Sequence, residues 1–219
     1  MVEYQFQNAS QKRLHIGKII CLIRSYRKHA EEMGTEPTTS PIFFLKPTSA
    51  VIFSGGKIIK PSMVQSLHHE VEVGIVIGKK GNDIERDEAL NHVLGYLIGL
   101  DITARDIQSV AKKNGWPWGI AKGFDTFAPI SKVIDKKEIS DPNAIEFSLL
   151  INGRVRQKGN TDHLLWSVEN MISYISRIMT LEPGDLILTG TPEGVGELQK
   201  GDQLEAWLSD KVSLSVTVS

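Results

Sequence analysis

The sequence predicts a β-rich α+β domain. Three observations lead there: many short apolar runs with strand character, few segments with helical spacing, and no regular alternation of strand and helix. A doubly wound parallel sheet requires that alternation, so it is disfavoured. Hydrophobic residues make up 41% of 219 positions and charged residues 23%, as in an ordinary globular protein, and the length allows one large domain or two small ones with a real core.

The elements follow in chain order. Lys18 to Ile23 is short and rich in β-branched residues, so it reads as a buried strand. Tyr26 to Met33 is helix-like and stops at Gly34. Thr35 to Pro41 is a loop rich in hydroxyl residues and proline, before a strand at Ile42 to Leu45. Glu70 to Ile77 reads as a strand, Arg86 to Val93 as a short helix, and Leu94 to Leu100 as another apolar strand. A helix is expected from Thr103 to about Lys113. Asn152-Gly153 between two strand-like runs is a two-residue hairpin signal. Leu164 to Met179 carries Leu165, Val168, Ile172, Ile175 and Met179 at helical spacing. Strands at Leu186 to Leu188, Leu204 to Leu208 and Val212 to Val218 complete the chain.

Charge excludes some functions. Lys plus Arg number 25 against 26 Asp plus Glu, so no global field draws the chain to nucleic acid or an anionic membrane. No apolar run approaches the roughly 20 residues of a membrane-spanning helix. The polar stretch from Met1 to Lys18 holds no signal core, so a cytoplasmic location is expected. The single cysteine, Cys21, forbids an internal disulfide and a cysteine-rich zinc site. Within Ile19-Ile20-Cys21-Leu22-Ile23 it reads as a buried structural thiol.

His68-His69-Glu70-Val71-Glu72-Val73 is the most informative segment. Residues two apart on a strand share a face, so Glu70 and Glu72 point together. They are either the wet face of a half-exposed antiparallel strand or, if buried, like charges that need a cation. Asp101 ends the apolar strand before it, as a helix N-cap or as a third carboxylate. Three carboxylates without cysteine make a hard oxygen site for Mg2+, Mn2+ or Ca2+.

Other pairs have two readings each. His29 and Glu32 lie three apart on one helical face, as a solvated surface pair or as a carboxylate-oriented base for water. Arg105 and Gln108 are spaced the same way, and the guanidinium suits either bidentate carboxylate binding or a salt bridge. Lys122 is an exposed loop lysine or reaches a bound anion or the acids. Thr189-Gly190-Thr191-Pro192 ends a strand in a tight turn where Thr191 offers a hydroxyl and an N–H. Lys46 and Phe44 are expected to line the pocket, and Trp116 and Trp118 flank Pro117 as core anchors without chemistry.

Taken together, four spaced segments resemble the fumarylacetoacetate hydrolase family. They are His68 to Glu72, Gly99 to Gln108, Ala121-Lys122-Gly123-Phe124-Asp125 and Thr189 to Gly196. Arg24 to Met33 and Phe43-Phe44-Leu45-Lys46-Pro47 fit as well, and the wording is most similar to the single-domain acylpyruvase/oxaloacetate decarboxylase branch. The resemblance implies one catalytic domain over residues 18–219, a mixed β-sandwich roll, after an N-terminal extension at 1–17. It implies a homodimer and one divalent ion, Mg2+ or Mn2+ with Ca2+ as an alternative, on Glu70, Glu72 and Asp101. It assigns His29, Glu32 and Lys122 to catalysis, and Arg24, Lys46, Arg105, Gln108 and Thr191 to the substrate. The implied activity is hydrolysis of acylpyruvates, with decarboxylation of oxaloacetate alongside. Alternatives are isomerisation or decarboxylation of hydroxymuconate-type dioic acids, dehydration of sugar acids, or binding of a metal or 2-oxo acid without turnover. A segment over residues 26–41, carrying His29 and Glu32, is expected to close over substrate.

Overall fold

The computed structural model describes residues 2–8, 13–28 and 39–219. His29, Glu32 and most of the segment expected to close over substrate lie outside the described residues. The first apolar run forms β1 (Ile19–Ile23), and β2 (Ile42–Lys46) returns antiparallel with Lys46 opposite Ile19. Three short strands follow: β3 (Val51–Phe53), β4 (Lys57–Ile58) and β5 (Leu67–His69). Runs this short have no readable period, and the sequence does not announce them. Next come β6 (Val71–Ile77) and β7 (Val93–Leu100), joined through a 3-10 helix at Arg86–His92.

The helix expected from Thr103 starts later. Thr103–Ala104 form strand β8, which pairs with β5, and only then does α1 (Arg105–Asn114) begin. A one-turn helix α2 (Gly119–Lys122) and the strands β9 (Ala128–Ile130) and β10 (Ile134–Asp135) follow. The hairpin β11 (Glu146–Ile151) and β12 (Arg154–Asn160) turns at Asn152 and Gly153 with φ of 51° and 75°, as a primed turn demands. Helix α3 (Val168–Ile178) is shorter than its apolar spacing suggested, because Ser167 caps it by accepting from the Asn170 N–H at 3.3 Å. Leu164 and Leu165 instead tie back to Tyr26 and Ser25. The last strands are β13 (Leu186–Leu188), β14 (Gly196–Glu197), β15 (Gln203–Leu208) and β16 (Val212–Val218).

The largest sheet runs β2-β1-β13-β6-β7-β9-β3, with β10 added on β7. A second runs β12-β11-β15-β16-β4, and a small one β14-β5-β8. Parallel pairs (β1 with β13, β3 with β9, β4 with β16) sit among antiparallel ones, so the sheets are mixed. Val73, Ile75 and Ile98 of the large sheet share one core with Leu149, Leu204 and Leu214 of the second, which makes a sandwich. The other face of the large sheet packs Cys21, Val76 and Leu97 with Tyr4 and Ile16. Tyr4 also donates to the Gly184 carbonyl at 3.0 Å, so these early residues are part of the packed structure. With both faces covered, all seven residues of β6 are buried. Among the described residues no helix is long and apolar enough to cross a membrane.

Candidate metal and substrate site

The acid cluster is a product of strand register. Val71 pairs with Leu100, so the residues flanking that pair, Glu70 and Asp101, become neighbours, and Asp101 N–H donates to the Glu70 carbonyl at 2.8 Å. Glu72 follows on the same face of β6. Ligand oxygens of Glu70, Glu72 and Asp101 all lie within 4.8 Å of one another, and all three residues are buried. The half-exposed, wet strand face is therefore not what forms. Burial, then Asp101 and Glu70, push the Glu72 carboxyl well above the usual carboxylate range, against Lys122 and the Gly190 N–H.

Three cations converge on these acids. Lys122, at the end of α2, donates to Glu70 Oε2 at 2.7 Å and Asp101 Oδ2 at 2.5 Å. Burial opposes its charge, but Asp101 and Glu70 outweigh that and hold it above the ordinary lysine range. It is fully buried, not an exposed loop lysine. Arg105 opens α1 and donates to Glu70 Oε1 and Gln108 Oε1, each at 2.6 Å. Lys46 ends β2 with its ammonium 2.8 Å from Asp101 Oδ1. Its protons go to the carbonyls of Ile102, Lys122 and Phe127, so Lys46 stands behind Asp101 and not in the cleft. Phe44 lies under Lys122, whose ammonium is 5.1 Å from the ring centroid.

Glu70, Glu72, Arg105 and Lys122 border a cleft of about 460 Å³, part of it open to solvent. Arg24, Glu70, Glu72, Arg105, Gln108, Lys122 and Thr191 line it, which gathers the site residues expected from sequence except Lys46, Asp101 and the two outside the described residues. Lys112 and Trp118 also line it, with the ammonium 5.2 Å from the ring centroid; Trp118, expected as a core anchor, stands at the cleft, and Lys112 was expected in no role. Lys112 was readable only through the helix, being one turn beyond Gln108; Trp118 had no signal. Trp116 is 60% exposed and anchors nothing in the core. The turn after β13 brings Gly190 N–H to Glu72 Oε2 at 2.7 Å. Gly190 has φ of 88°, and a Cβ there would collide with Ser25 Oγ, so glycine is needed for the turn to reach the acid. Cys21 lies buried beneath, its thiol pushed up by burial and by Asp101, which makes it inert.

The donor set fits a divalent ion. Asp101 Oδ1 is buried and accepts no hydrogen bond, because the protons of the neighbouring Lys46 are committed to carbonyls. Three buried carboxylates in reach of one another, with the Glu72 carboxyl pushed up by burial and then by Asp101 and Glu70, make an oxygen-only cluster that a hard cation would relieve.

Residues 18–219 match the family described as Fumarylacetoacetate (FAA) hydrolase C-terminal. The chain is 49% identical over 193 residues to the mitochondrial oxaloacetate decarboxylase of Dictyostelium discoideum, covering 88% of each chain. It is 42% identical over 200 residues to the mitochondrial oxaloacetate tautomerase FAHD1 of Homo sapiens, covering 91% of this chain and 90% of the other. Its structure superposes with a TM-score of 0.92 on fumarylpyruvate hydrolase from Pseudomonas aeruginosa in complex with Mn2+ and pyruvate, at 38% identity, covering 99% and 95%. On motif, fold and sequence, this chain belongs to the fumarylacetoacetate hydrolase family.

Proposed function

We propose that this protein is a divalent-metal-dependent enzyme of small 2-oxo acids, hydrolysing the C–C bond of acylpyruvates and also releasing CO2 from oxaloacetate. The buried cluster of Glu70, Glu72 and Asp101 beneath a cation-lined cleft carries this reading. Glu70, Glu72 and Asp101 would hold Mg2+ or Mn2+, and Ca2+ takes the same donors. When bound, such an ion polarises a carbonyl oxygen as a Lewis acid. Arg105, pre-set by Glu70 and Gln108, offers a planar donor to the substrate carboxylate. Lys122 places positive charge where negative charge develops on the 2-oxo oxygen. Gln108 and Thr191, both lining the cleft, supply polar contacts.

Hydrolysis, loss of CO2 and keto–enol conversion all develop charge at that same oxygen. Relatives named as a decarboxylase, a tautomerase and a fumarylpyruvate hydrolase support this shared chemistry. Only hydrolysis needs an activated water, and the presence of His29 and Glu32 in the sequence supports it. The proposal extends to a homodimer in the cytoplasm; a sedimentation mass of one chain would remove the dimer.

The test assays purified protein with Mg2+ or Mn2+ against acetylpyruvate, fumarylpyruvate and oxaloacetate. EDTA should abolish turnover and either ion restore it; full activity in a rigorously metal-free preparation ends the proposal. His29→Ala should cost hydrolysis about 10²–10⁴-fold and decarboxylation much less. Equal losses would show that His29 positions substrate and does not activate water.

A further inference from the structure

Gln157 is the polar side chain of β12 that turns inward. The strand leaves Arg154, Val155, Arg156 and Lys158 exposed, whereas Gln157 is 1% exposed. A register shift against β11 explains this: Leu149 faces Gln157 but Leu150 faces Val155, so Arg156 is the extra residue of a bulge. Bulges re-aim side chains, and the Gln157 amide reaches Val71 and Thr191.

The amide makes a complete set of hydrogen bonds. Its Oε1 accepts from Val71 N–H at 3.1 Å and meets His69 Nδ1 at 2.9 Å. Its Nε2 meets Thr191 Oγ1 at 2.8 Å and donates to the Pro192 carbonyl at 3.1 Å. Two of these partners are backbone groups with fixed roles, Val71 a donor and Pro192 an acceptor, so the orientation of the amide is settled. Two consequences follow. His69 must carry its proton on Nδ1, and Thr191 Oγ1 must accept from Gln157.

From this we infer that Gln157 is a positioning residue for Thr191. A threonine hydroxyl has one hydrogen to give. With a lone pair held by Gln157 Nε2, that hydrogen is directed to an acceptor on the cleft side, where Thr191 is a wall. Thr191 thus offers its one hydrogen to a ligand that presents a carboxylate or carbonyl oxygen. The inference rests on the 2-oxo-acid reading proposed above.

The test uses Mn2+-loaded protein and oxalate, a planar dianion that binds without turnover. The variants are Gln157→Glu, Thr191→Val, Thr191→Ser and the Gln157→Glu/Thr191→Val double. In Gln157→Glu the new carboxylate has no proton to donate to Thr191, whose hydroxyl would turn to it. Gln157→Glu and Thr191→Val should each weaken oxalate about tenfold to a hundredfold and raise KM for oxaloacetate accordingly. The double variant should be within about twofold of Thr191→Val, because Gln157 acts through that hydroxyl. Thr191→Ser should bind within about threefold of wild type, and Mn2+ affinity should hold within about twofold throughout. Should Gln157→Glu fail to fold, Gln157→Met carries the same expectations without a buried charge. Losses that multiply in the double variant, or undiminished oxalate binding by Thr191→Val, overturn the inference while leaving the functional reading intact. Wild-type protein that binds no Mn2+ and turns over no 2-oxo acid defeats both.

Discussion

Strands β6 and β15 begin with the same local grammar and end in opposite environments. Val71-Glu72-Val73 in one and Leu204-Glu205-Ala206 in the other each place a carboxylate between apolar residues. Both strands are interior to their sheets, β6 between β13 and β7, β15 between β11 and β16. In β15 the pattern alternates exposed and buried, and Glu205 faces solvent. In β6 every residue is buried, and Glu72 is 1% exposed. Pairing along the edges does not separate them; cover on the second face does. Alternation tells which residues share a face, not whether that face is dry.

The comparison can be strained from its strongest point downward. Lys122→Met should destabilise the metal-free protein by about 1.5–3 kcal/mol, because Glu70 keeps Arg105 and Asp101 keeps Lys46 but each loses a buried, charge-assisted hydrogen bond. Urea unfolding in EDTA measures it, and an unmoved midpoint would mean that those charges are not buried in solution. Glu72→Ala should cost oxaloacetate turnover more than about 100-fold, beyond the 10–100-fold typical of groups outside a metal's ligand set. Glu205→Ala should leave turnover within about twofold, since a solvated carboxylate on the far sheet touches no part of the cleft. Similar rates for the two variants would break the comparison.

A third test sharpens it by binding. Mn2+ at one hundred times its Kd should raise the unfolding free energy by about 2.7 kcal/mol in wild type. Glu72→Ala should lose most of that gain and Glu205→Ala none, read as shifts in Tm. The smallest effect is Glu205→Gln, expected to change stability by no more than about 0.5 kcal/mol. A larger change would show that the outer face of the second sheet is covered in solution.

Much of the site was legible because its chemistry is written locally. The Glu70/Glu72 spacing puts two carboxylates on one strand face, and the Arg105/Gln108 spacing puts a guanidinium and an amide on one helical face, where they bond at 2.6 Å. The Asn152-Gly153 hairpin followed from turn chemistry alone. Lys122 stayed ambiguous, because a Gly-flanked segment does not disclose that its one-turn helix packs beneath the acids. Lys46 was expected in the cleft and stands behind it, since β2 closes on β1 in a register that only pairing reveals. Gln157 was invisible in the sequence, because a bulge breaks the two-residue period that would have marked it as inward.

The sequence by itself determined the elements with a clear period, the donor chemistry of the carboxylates and the family to which the spaced segments belong. Only the tertiary structure decided that Glu72 is dry, that Lys122 bridges Glu70 and Asp101, and that Gln157 governs the hydrogen bond of Thr191. The reason is range: period and turn chemistry act between residues a few positions apart, whereas Gln157 and Thr191 are 34 residues apart and Gly190 and Glu72 are 118. Burial and partnership at such separations are set by which sheet faces close on each other, and no local pattern encodes that closure.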